Sequence, residues 1–394
     1  MKYNNVCNEE LSLLGFGTMR LPLNEDKSID TKQVKQMVKY ALDNGVNYFD
    51  TAYPYHEGKS ELVIGEALKE YPRESFKLAS KYPGHQIVSE YKPAEIFEEQ
   101  LSKCQVDYFD FYLLHNINES DFDVYEDPKW GIIDYFIKQR QLGRIKHLGF
   151  SSHARPENLD AFLSRHEGVF EFCQIQVNYL DWTLQNAKEK CEILRRHNIP
   201  VWVMEPVRGG KLVSSLNEDE INKLKEFRSD ESIASFAFRF LMKQDNIKMI
   251  LSGMSNLEQM EDNVKTFNND LPLSNEEYDY LLQIAERLKD AVPCSACRYC
   301  CDGCPMNLDI PMLIAAYNDL KFASAYTVPM QMDALEKDKL PGACIGCGQC
   351  QAICPQKIDV PKVMKDFDEL LAKSVKWADV CKEREEAAKR LKNK

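Results

Sequence analysis

The chain has 394 residues, with 50 basic against 62 acidic side chains and a net charge of −12. That length can bury a large core and accommodates two domains. The acidic balance argues against nucleic acid or an anionic membrane as the main partner. No apolar run reaches the ~18 residues of a membrane span, and the first residues lack a signal-peptide core, so we predict a cytoplasmic protein.

Short apolar strands alternate with amphipathic helices through the first three quarters of the chain. Predicted strands begin near residues 13, 46, 76, 108, 145, 171, 200 and 248, and the predicted helices between and after them include 93–104, 132–141, 256–267 and 275–290. This alternation implies parallel pairing, and eight strands close a barrel. An open doubly wound sheet gives the same local pattern, but no G-x-G-x-x-G turn follows the first strand. We therefore predict an α/β TIM (β/α)8 barrel over residues 1–290.

Titratable side chains stand at or just after three of these strands, namely Asp50, Tyr55, Lys81 and His115. The carboxyl ends of barrel strands share one rim, so we expect the four to converge. A phenol with a pKa of about 10 is a weak acid at neutral pH until a nearby ammonium stabilises its phenolate. Lys81 can supply that charge, Asp50 can hold Lys81, and His115 can orient a carbonyl oxygen. Each residue alone also has a structural explanation, but the set predicts a proton-donor site for a carbonyl.

The composition changes at Pro293, after which cysteines crowd into two runs of the spacing C-x2-C-x2-C-x3-C-P. Their cysteines are Cys294, Cys297, Cys300, Cys304, Cys344, Cys347, Cys350 and Cys354. Clustered cysteines in a reducing compartment indicate a metal centre, and this spacing is typical of bacterial ferredoxins. The zinc alternative uses two C-x2-C pairs without the fourth Cys-Pro. We predict two 4Fe-4S clusters in a small, mainly helical ferredoxin-like domain over residues 291–372, with Cys301 as a bystander.

In such doubled runs the fourth cysteine of each run serves the other cluster. We therefore predict one cluster on Cys294, Cys297, Cys300 and Cys354. The second cluster is predicted on Cys344, Cys347, Cys350 and Cys304. The alternative is that each run closes on its own cluster. The remaining residues, 373–394, are charged and predict a solvated helix or tail.

The motifs of residues 10–290 resemble the aldo/keto reductase superfamily. They are Gly15-Phe16-Gly17-Thr18, Phe49-Asp50-Thr51-Ala52-Tyr53-Pro54-Tyr55, Ser80-Lys81, Tyr112-Leu113-Leu114-His115, the stretch 143–151 and Gln176-Val177-Asn178-Tyr179. The resemblance implies a TIM barrel and a nicotinamide cofactor bound without a Rossmann fold. It also implies Tyr55 as general acid, supported by Asp50, Lys81 and His115. Reductases of this kind with a C-terminal double cluster form a recognisable subgroup, which this chain resembles.

The same resemblance assigns nucleotide contacts. The assigned positions are Ser151, Ser152 and Gln176 for the carboxamide, Met204 where an aromatic usually stacks on the nicotinamide, and Ser255 and Asn263 on the adenosine side. Arg208 and Lys211 are candidates to pair with the pyrophosphate. Gly253 and Gln259 stand where many members have a cation for the 2′-phosphate, so NADPH and NADH both remain candidates.

Hydride chemistry moves two electrons together, whereas each cluster moves one. A flavin could mediate between them, but no flavin motif is found; single-electron reduction and a purely structural or docking role for the clusters also stay open. We predict an oxidoreductase that reduces a small carbonyl substrate with a nicotinamide cofactor, its two clusters transferring electrons. An electron-transfer protein is a candidate partner. The alternative is a non-catalytic electron-transfer or partner-docking protein on an inherited barrel.

Overall fold

The structure is a computed structural model of the chain. It describes residues 1–86, 88–119, 121–269, 271–288, 292, 294, 298–322, 327–354, 358–374 and 376–392. Cys297, a predicted cluster ligand, and the predicted domain boundary at Pro293 lie outside the described residues.

Eight parallel strands form a closed barrel, which confirms the predicted fold. The strands of the structure are β1 (Tyr3–Val6), β2 (Glu9–Ser12), β3 (Leu14–Gly17), β4 (Tyr48–Asp50), β5 (Lys77–Tyr82), β6 (Phe109–Ile117), β7 (Ile145–Ser152), β8 (Cys173–Gln176), β9 (Val201–Met204) and β10 (Ile247–Ser252). β3 to β10 pair in chain order, and β10 closes on β3. Inward side chains such as Phe111, Phe172 and Trp202 fill the barrel, as expected of a packed interior.

Helices follow the barrel strands and cover them. They are α1 (Thr31–Asp43), α2 (Ser60–Leu68), α3 (Pro93–Cys104), α4 (Phe122–Glu126), α5 (Ile132–Gln141), α6 (Pro156–Arg165), α7 (Asp181–Leu184), α8 (Ala187–Arg196), α9 (Lys211–Ser214), α10 (Glu218–Phe227), α11 (Ile233–Met242), α12 (Leu257–Asn268) and α13 (Asn275–Leu288). Local signals define their ends: Asp30 accepts the N–H of Gln33 to cap α1, and Pro93 opens α3. The predicted helices 93–104 and 132–141 are confirmed to the residue.

A hairpin of β1 and β2 precedes the barrel, and the sequence prediction missed it. Its turn residues Cys7 and Asn8 have φ of 53° and 59°, the left-handed conformation that tight hairpins use. Val6 and Cys7 pack against the inward side chains of the barrel. The hairpin therefore closes the end of the barrel opposite the strand carboxyl ends. Its alternation was too short to distinguish from a loop.

The C-terminal part is helical, as predicted, and consists of two similarly built halves. Its helices are α14 (Tyr299–Asp302), α15 (Ile310–Phe322), α16 (Thr327–Asp333), α17 (Gln349–Ile353), α18 (Val360–Lys373) and α19 (Trp377–Lys392). α14 packs on α17, and α15 packs on α18. Asp309 and Asp359 each accept a backbone N–H at the start of the long helix that follows, which explains the repeated aliphatic-Asp-aliphatic-Pro sequence. Among the described helices, none combines the length and apolar character needed to cross a bilayer.

Candidate functional site

The structure brings Asp50, Tyr55, Lys81 and His115 together at the carboxyl rim of the barrel. The ammonium of Lys81 donates to Asp50 Oδ1 at 2.5 Å and to the carbonyl of Thr51 at 2.7 Å, and it lies 4.9 Å from the centre of the Tyr55 ring. The rings of Tyr55 and His115 are 5.9 Å apart and nearly perpendicular. Burial works against a charged Lys81, but Asp50 and Tyr55 outweigh it, so the pKa of Lys81 is raised.

A buried polar network behind Lys81 fixes the end of β5. Gln100 on α3 donates to the carbonyl of Lys81 at 3.0 Å and to Ser80 Oγ at 2.9 Å. Ser80 and Gln100 both donate to Glu61 Oε1, at 2.5 and 2.6 Å, and Tyr112 donates to Gln100 Oε1. These bonds hold the backbone at the end of β5, from which the Lys81 side chain extends, although Glu61 Oε2 is buried without a hydrogen-bond partner among the described residues.

The loop that carries Tyr55 is held by an unusual backbone. His56 and Glu57, directly after it, have φ of 50° and 58°, which is costly for residues other than glycine. His56 Nε2 accepts the backbone N–H of Leu21 at 3.1 Å and ties the loop to the segment after β3. Burial also lowers the pKa of His56, which favours the neutral ring that this acceptor role requires. The strained turn therefore directs the Tyr55 side chain towards Lys81.

The predicted carboxamide positions lie on the same rim and are buried. Ser151 Oγ accepts the N–H of Asn116 at 2.7 Å, Ser152 Oγ donates to the carbonyl of Ile117, and Gln176 donates to Asp181. Met204 ends β9 beside them. Each of the three polar side chains has a hydrogen-bond partner within the protein, and their contact with a carboxamide stays a prediction.

Ser255 and Asn263, the positions predicted to contact the adenosine, lie just before α12 and in the middle of it, respectively. The backbone N–H of Ser255 donates to Gln259 Oε1 at 2.8 Å, and Asn263 is buried and donates to Ser252 Oγ at 2.9 Å. Glu258 and Gln259 are exposed on the first turn of the helix. The first turn of this helix thus presents a carboxylate and an amide, while the side chain of Arg20 lies against Gly253.

Arg208 is committed to an internal ion-pair network rather than to an open phosphate site. Its guanidinium is buried and donates to Asp181 Oδ2 at 3.1 Å and to Asp319 Oδ1 at 2.5 Å. Asp319 lies on α15 of the C-terminal domain, and Gln185 donates to both of its carboxylate oxygens. These carboxylates engage Nε and Nη2 of Arg208, whereas its Nη1 is buried without a hydrogen-bond partner among the described residues, and the pyrophosphate contact stays a prediction. Lys211 lies nearby and is half-buried, and burial together with the charge of Arg208 lowers its pKa.

This network predicts a large effect for Asp319→Ala. The variant leaves the Arg208 charge buried without one of its two carboxylates, and breaking a buried pair typically costs about 3–5 kcal/mol. We expect a loss of that size in the free energy of unfolding, measured by urea denaturation of the anaerobic protein. Glu369→Ala, which removes a carboxylate from an exposed pair with Lys365, is the control and should change little. Equal midpoints for the two variants would contradict the assigned role of Asp319.

The cysteines of the two runs gather in the C-terminal domain. One cavity is lined by Cys344, Cys347 and Cys350 of the second run together with Cys304 of the first. Apolar side chains complete the lining, among them Met306, Ile310, Val360 and Met364. Thiol groups in an apolar shell fit an iron–sulfur cluster. Cys300, beside Cys301 and Cys294, has its pKa raised to about 12 by burial and by those neighbours.

The expectation of a solvated C-terminal segment is wrong for the first turn of α19. Trp377, Val380 and Cys381 are buried there and form a cluster with Met330 of α16. Trp377 stacks on His85, whose ring contacts His115. The apolar spacing i, i+3, i+4 in an otherwise charged helix was the signal that could have found this face. His85, Asp181 and Asp319 gave no comparable signal, because their contacts join segments far apart in the sequence.

The sequence of the chain matches two known families in succession. A model of the Aldo/keto reductase family matches residues 13–286, and a model of the 4Fe-4S dicluster domain matches residues 293–358. The NADH-specific methylglyoxal reductase of Escherichia coli (strain K12) is 25% identical over 329 residues, which cover 71% of this chain and 96% of that protein. "Probable aldo-keto reductase 1" of Glycine max is 27% identical, but the match spans only 57% of that protein and 51% of this chain.

Solved structures agree with the barrel. The aldo-keto reductase AKR11C1 from Bacillus halodurans, in its holo form, superposes with a TM-score of 0.58 at 27% identity, covering 72% of this chain and 96% of that one. An aldo-keto reductase from Klebsiella pneumoniae in complex with NADPH has the same TM-score at 22% identity, covering 72% and 96%, which supports the fold. With the family match spanning well over half of its length, the chain belongs to the aldo/keto reductase family and carries a 4Fe-4S dicluster domain after its barrel.

Proposed function

We propose that this chain reduces a small carbonyl compound, with Tyr55 as the proton donor. The observation that carries the proposal is the buried Lys81 ammonium, held between Asp50 and the ring of Tyr55. A positive charge at that position favours negative charge on the phenolic oxygen and so makes its proton easier to donate. Without Lys81, the phenol would be a weak acid at neutral pH.

Each of the other groups has a distinct part in this proposal. Asp50 keeps Lys81 protonated and in place, because its carboxylate accepts from the ammonium inside a water-poor site. His115, with its ring across from Tyr55, donates to the substrate oxygen and orients it toward the phenol. Tyr55 and His115 would both hydrogen-bond the carbonyl oxygen and so fix the substrate in a single orientation. Such orientation of the reactants contributes much of the rate enhancement that comes from holding them together.

The electrons come from bound cofactors. When bound, a reduced nicotinamide would supply the hydride, which carries both electrons that the carbonyl takes up, whereas 4Fe-4S clusters would exchange single electrons. Ser151, Ser152 and Gln176 would hold the carboxamide, with Met204 against the ring. Two clusters would be held by the eight cysteines of the two runs, one of which, Cys297, lies outside the described residues.

Titration of the anaerobic holoprotein with NADH and with NADPH tests the proposal. Nicotinamide fluorescence reports binding, and the visible absorbance of the clusters reports electron flow. We expect the reduced nucleotide to bind and, on addition of methylglyoxal, to be oxidised. Bleaching of the clusters by the nucleotide would support a redox connection between the two. Failure to bind either nucleotide would remove the nicotinamide from the proposal.

The two nucleotides are expected to bind with dissociation constants within about tenfold of each other. A charge-assisted contact to the 2′-phosphate is worth about 1.5–3 kcal/mol, or roughly tenfold or more, and the start of α12 presents Glu258 and Gln259 instead of cations. Fluorescence titrations at physiological salt measure the ratio. The variant Gln259→Arg should shift it at least several-fold toward NADPH. A strong NADPH preference of the unmodified protein, unchanged in the variant, would mean that other cations bind this phosphate.

The Arg208–Asp319 ion pair favours a second function. Arg208 is the predicted pyrophosphate ligand of the barrel, and in the structure it binds a carboxylate of the cluster domain instead. In this alternative the barrel does no hydride chemistry, and the chain is an electron-transfer or partner-docking protein. Nucleotide titration separates the two. Cluster reduction by a low-potential protein donor, with no response to either nucleotide and no carbonyl turnover, would favour the alternative.

A further inference from the structure

Three side chains that can bind a metal meet at the end of the barrel that the hairpin closes. Cys7 lies in the hairpin turn, His147 lies in β7, and Glu171 lies two residues before β8. Their ligand atoms, one from each residue, all lie within 4.8 Å of one another. The three side chains are half-buried, so water reaches them from outside the barrel. This group takes no part in the proton-donor site, which lies at the opposite rim.

The turn that carries Cys7 has a backbone conformation that is costly for a cysteine. A two-residue turn with positive φ at both positions usually contains asparagine, aspartate or glycine. Asn8 fits this pattern with a φ of 59°, whereas Cys7 has a φ of 53°. The turn places Cys7 Sγ 3.8 Å from the carbonyl oxygen of Glu171. Formation of the turn therefore does not by itself account for a cysteine at this position.

Neighbouring side chains hold His147 and Glu171 in orientation. Glu171 Oε2 lies 2.7 Å from His147 Nδ1, and Glu171 Oε1 accepts a hydrogen bond from Arg140 at 3.0 Å. The ring of Phe111 packs against the imidazole, with ring centres 4.9 Å apart. The imidazole and the carboxylate thus already lie side by side, and little side-chain freedom would be lost if both bound the same ion.

We propose that Cys7, His147 and Glu171 bind one zinc ion, which fastens the hairpin to the barrel. A thiolate, an imidazole and a carboxylate are all ligands of Zn²⁺, and three protein ligands leave the fourth tetrahedral position to water. Bonds of about 2.0–2.3 Å space such ligands about 3.3–3.6 Å apart, so these donor atoms need to close by little more than about 1 Å. Mg²⁺ and Ca²⁺ prefer oxygen ligands, which a thiol and an imidazole do not provide.

The charges around the three ligands suit a divalent cation. Burial and the carboxylates of Glu171 and Glu9 raise the pKa of the Cys7 thiol to about 12, because they disfavour a further negative charge. Zinc replaces the thiol proton, which is released to solvent, and neutralises the thiolate and the Glu171 carboxylate together. Glu9 itself is paired with Lys77 at 2.5 Å, so it is already partly compensated.

The place of the site in the fold gives the ion a structural role. It would join the hairpin turn to two neighbouring barrel strands at the face where barrels of this type are stabilised, not where they react. An ion that binds only the folded chain adds its binding free energy to the stability of the fold.

Zinc binding to the full-length, anaerobic, cluster-loaded protein tests the proposal. Equilibrium dialysis against zinc ions, with zinc and iron both measured, should give one zinc ion per chain while the iron content stays constant. X-ray absorption at the zinc edge does not report the iron clusters. It should show one sulfur ligand at about 2.3 Å and nitrogen or oxygen ligands at about 2.0–2.2 Å.

Variants at the site have a matched control within the chain. Cys7→Ser and His147→Gln should each weaken zinc binding at least about a hundredfold, because loss of an outer-shell partner alone already costs about 10–100-fold. The control is His166→Gln, since His166 and Arg165 contact Glu126 much as His147 and Arg140 contact Glu171. Among the described residues, no cysteine completes a metal-binding group there, so this variant should bind zinc normally.

Three outcomes overturn the proposal. A wild-type protein that retains no zinc refutes it without any variant. Equal zinc affinity in the wild type and in Cys7→Ser would exclude the thiol as a ligand. Several sulfur ligands around the zinc, together with a falling iron content, would place the ion on the cysteines of the cluster domain instead.

Discussion

Replacing Tyr55 by Phe is expected to lower kcat for carbonyl reduction by about 10²–10⁴-fold, the usual contribution of a positioned general acid. The substitution removes the phenolic hydroxyl and leaves the ring that faces His115 and Lys81. Binding of nucleotide should change little, since the predicted nucleotide contacts lie on other strands. Steady-state turnover of methylglyoxal and fluorescence titration with each nucleotide measure the two quantities on the same preparation.

Tyr53→Phe provides a matched control, because it removes the same atom two residues away. The Tyr53 hydroxyl contacts Glu99 on α3, with distances of 3.2 and 3.4 Å to the two carboxylate oxygens, and it takes no part in the proton-donor site. We expect near-normal turnover from this variant. Normal turnover from Tyr55→Phe itself would exclude Tyr55 as the acid and leave His115 as the candidate.

The second large effect concerns the ligands of the clusters. Cys354→Ala should lower the iron content from about eight to about four atoms per chain, since one of two four-iron clusters loses a ligand. The crossed arrangement predicts that the lost cluster is the one on the first run. One cavity is lined by Cys304 of the first run together with Cys344, Cys347 and Cys350 of the second. This supports the corresponding exchange, in which the fourth cysteine of the first run serves the cluster of the second.

Double variants identify which cluster is lost. If Cys354 serves the first run's cluster, adding Cys300→Ala to Cys354→Ala removes no further iron, whereas adding Cys350→Ala removes the rest. If each run closes on its own cluster, adding Cys350→Ala to Cys354→Ala removes no further iron, whereas adding Cys300→Ala removes the rest. Iron analysis and the Mössbauer spectrum of each variant measure them. Cys301→Ala is the control, and iron loss in that variant would make Cys301 a ligand.

Much of the barrel could be predicted because its signals are local. A strand of three to nine residues, a capped helix and the next strand each leave a pattern within about twenty residues, and parallel order then follows from the alternation. The convergence of Asp50, Lys81 and His115 follows as well, since a closed barrel brings its strand ends to one rim. The doubled cysteine spacing is equally local, and it located the second domain.

The contacts between the two parts of the chain could not be predicted in this way. Arg208 and Asp319 are separated by 111 residues, and each alone is compatible with an exposed pair or a ligand contact. Their burial depends on how α15 sits on the barrel, which no periodicity encodes. The same holds for His85 and Trp377. Most residues of α19 are charged. The few apolar residues at its start therefore gave only a weak signal of burial in the sequence.

The order of the chain has a consequence for how the protein responds to oxygen. The helix that covers the proton-donor site begins only after the cluster domain, so its position depends on that domain being folded. A metal centre that binds only the folded state adds its binding free energy to the stability of that state, and loss of the metal centre lowers the stability by the same amount. Air that destroys the clusters should therefore loosen α19 and the Arg208–Asp319 contact together. The proposed carbonyl chemistry would then become oxygen-sensitive, although none of the four side chains to which we assign it reacts readily with air.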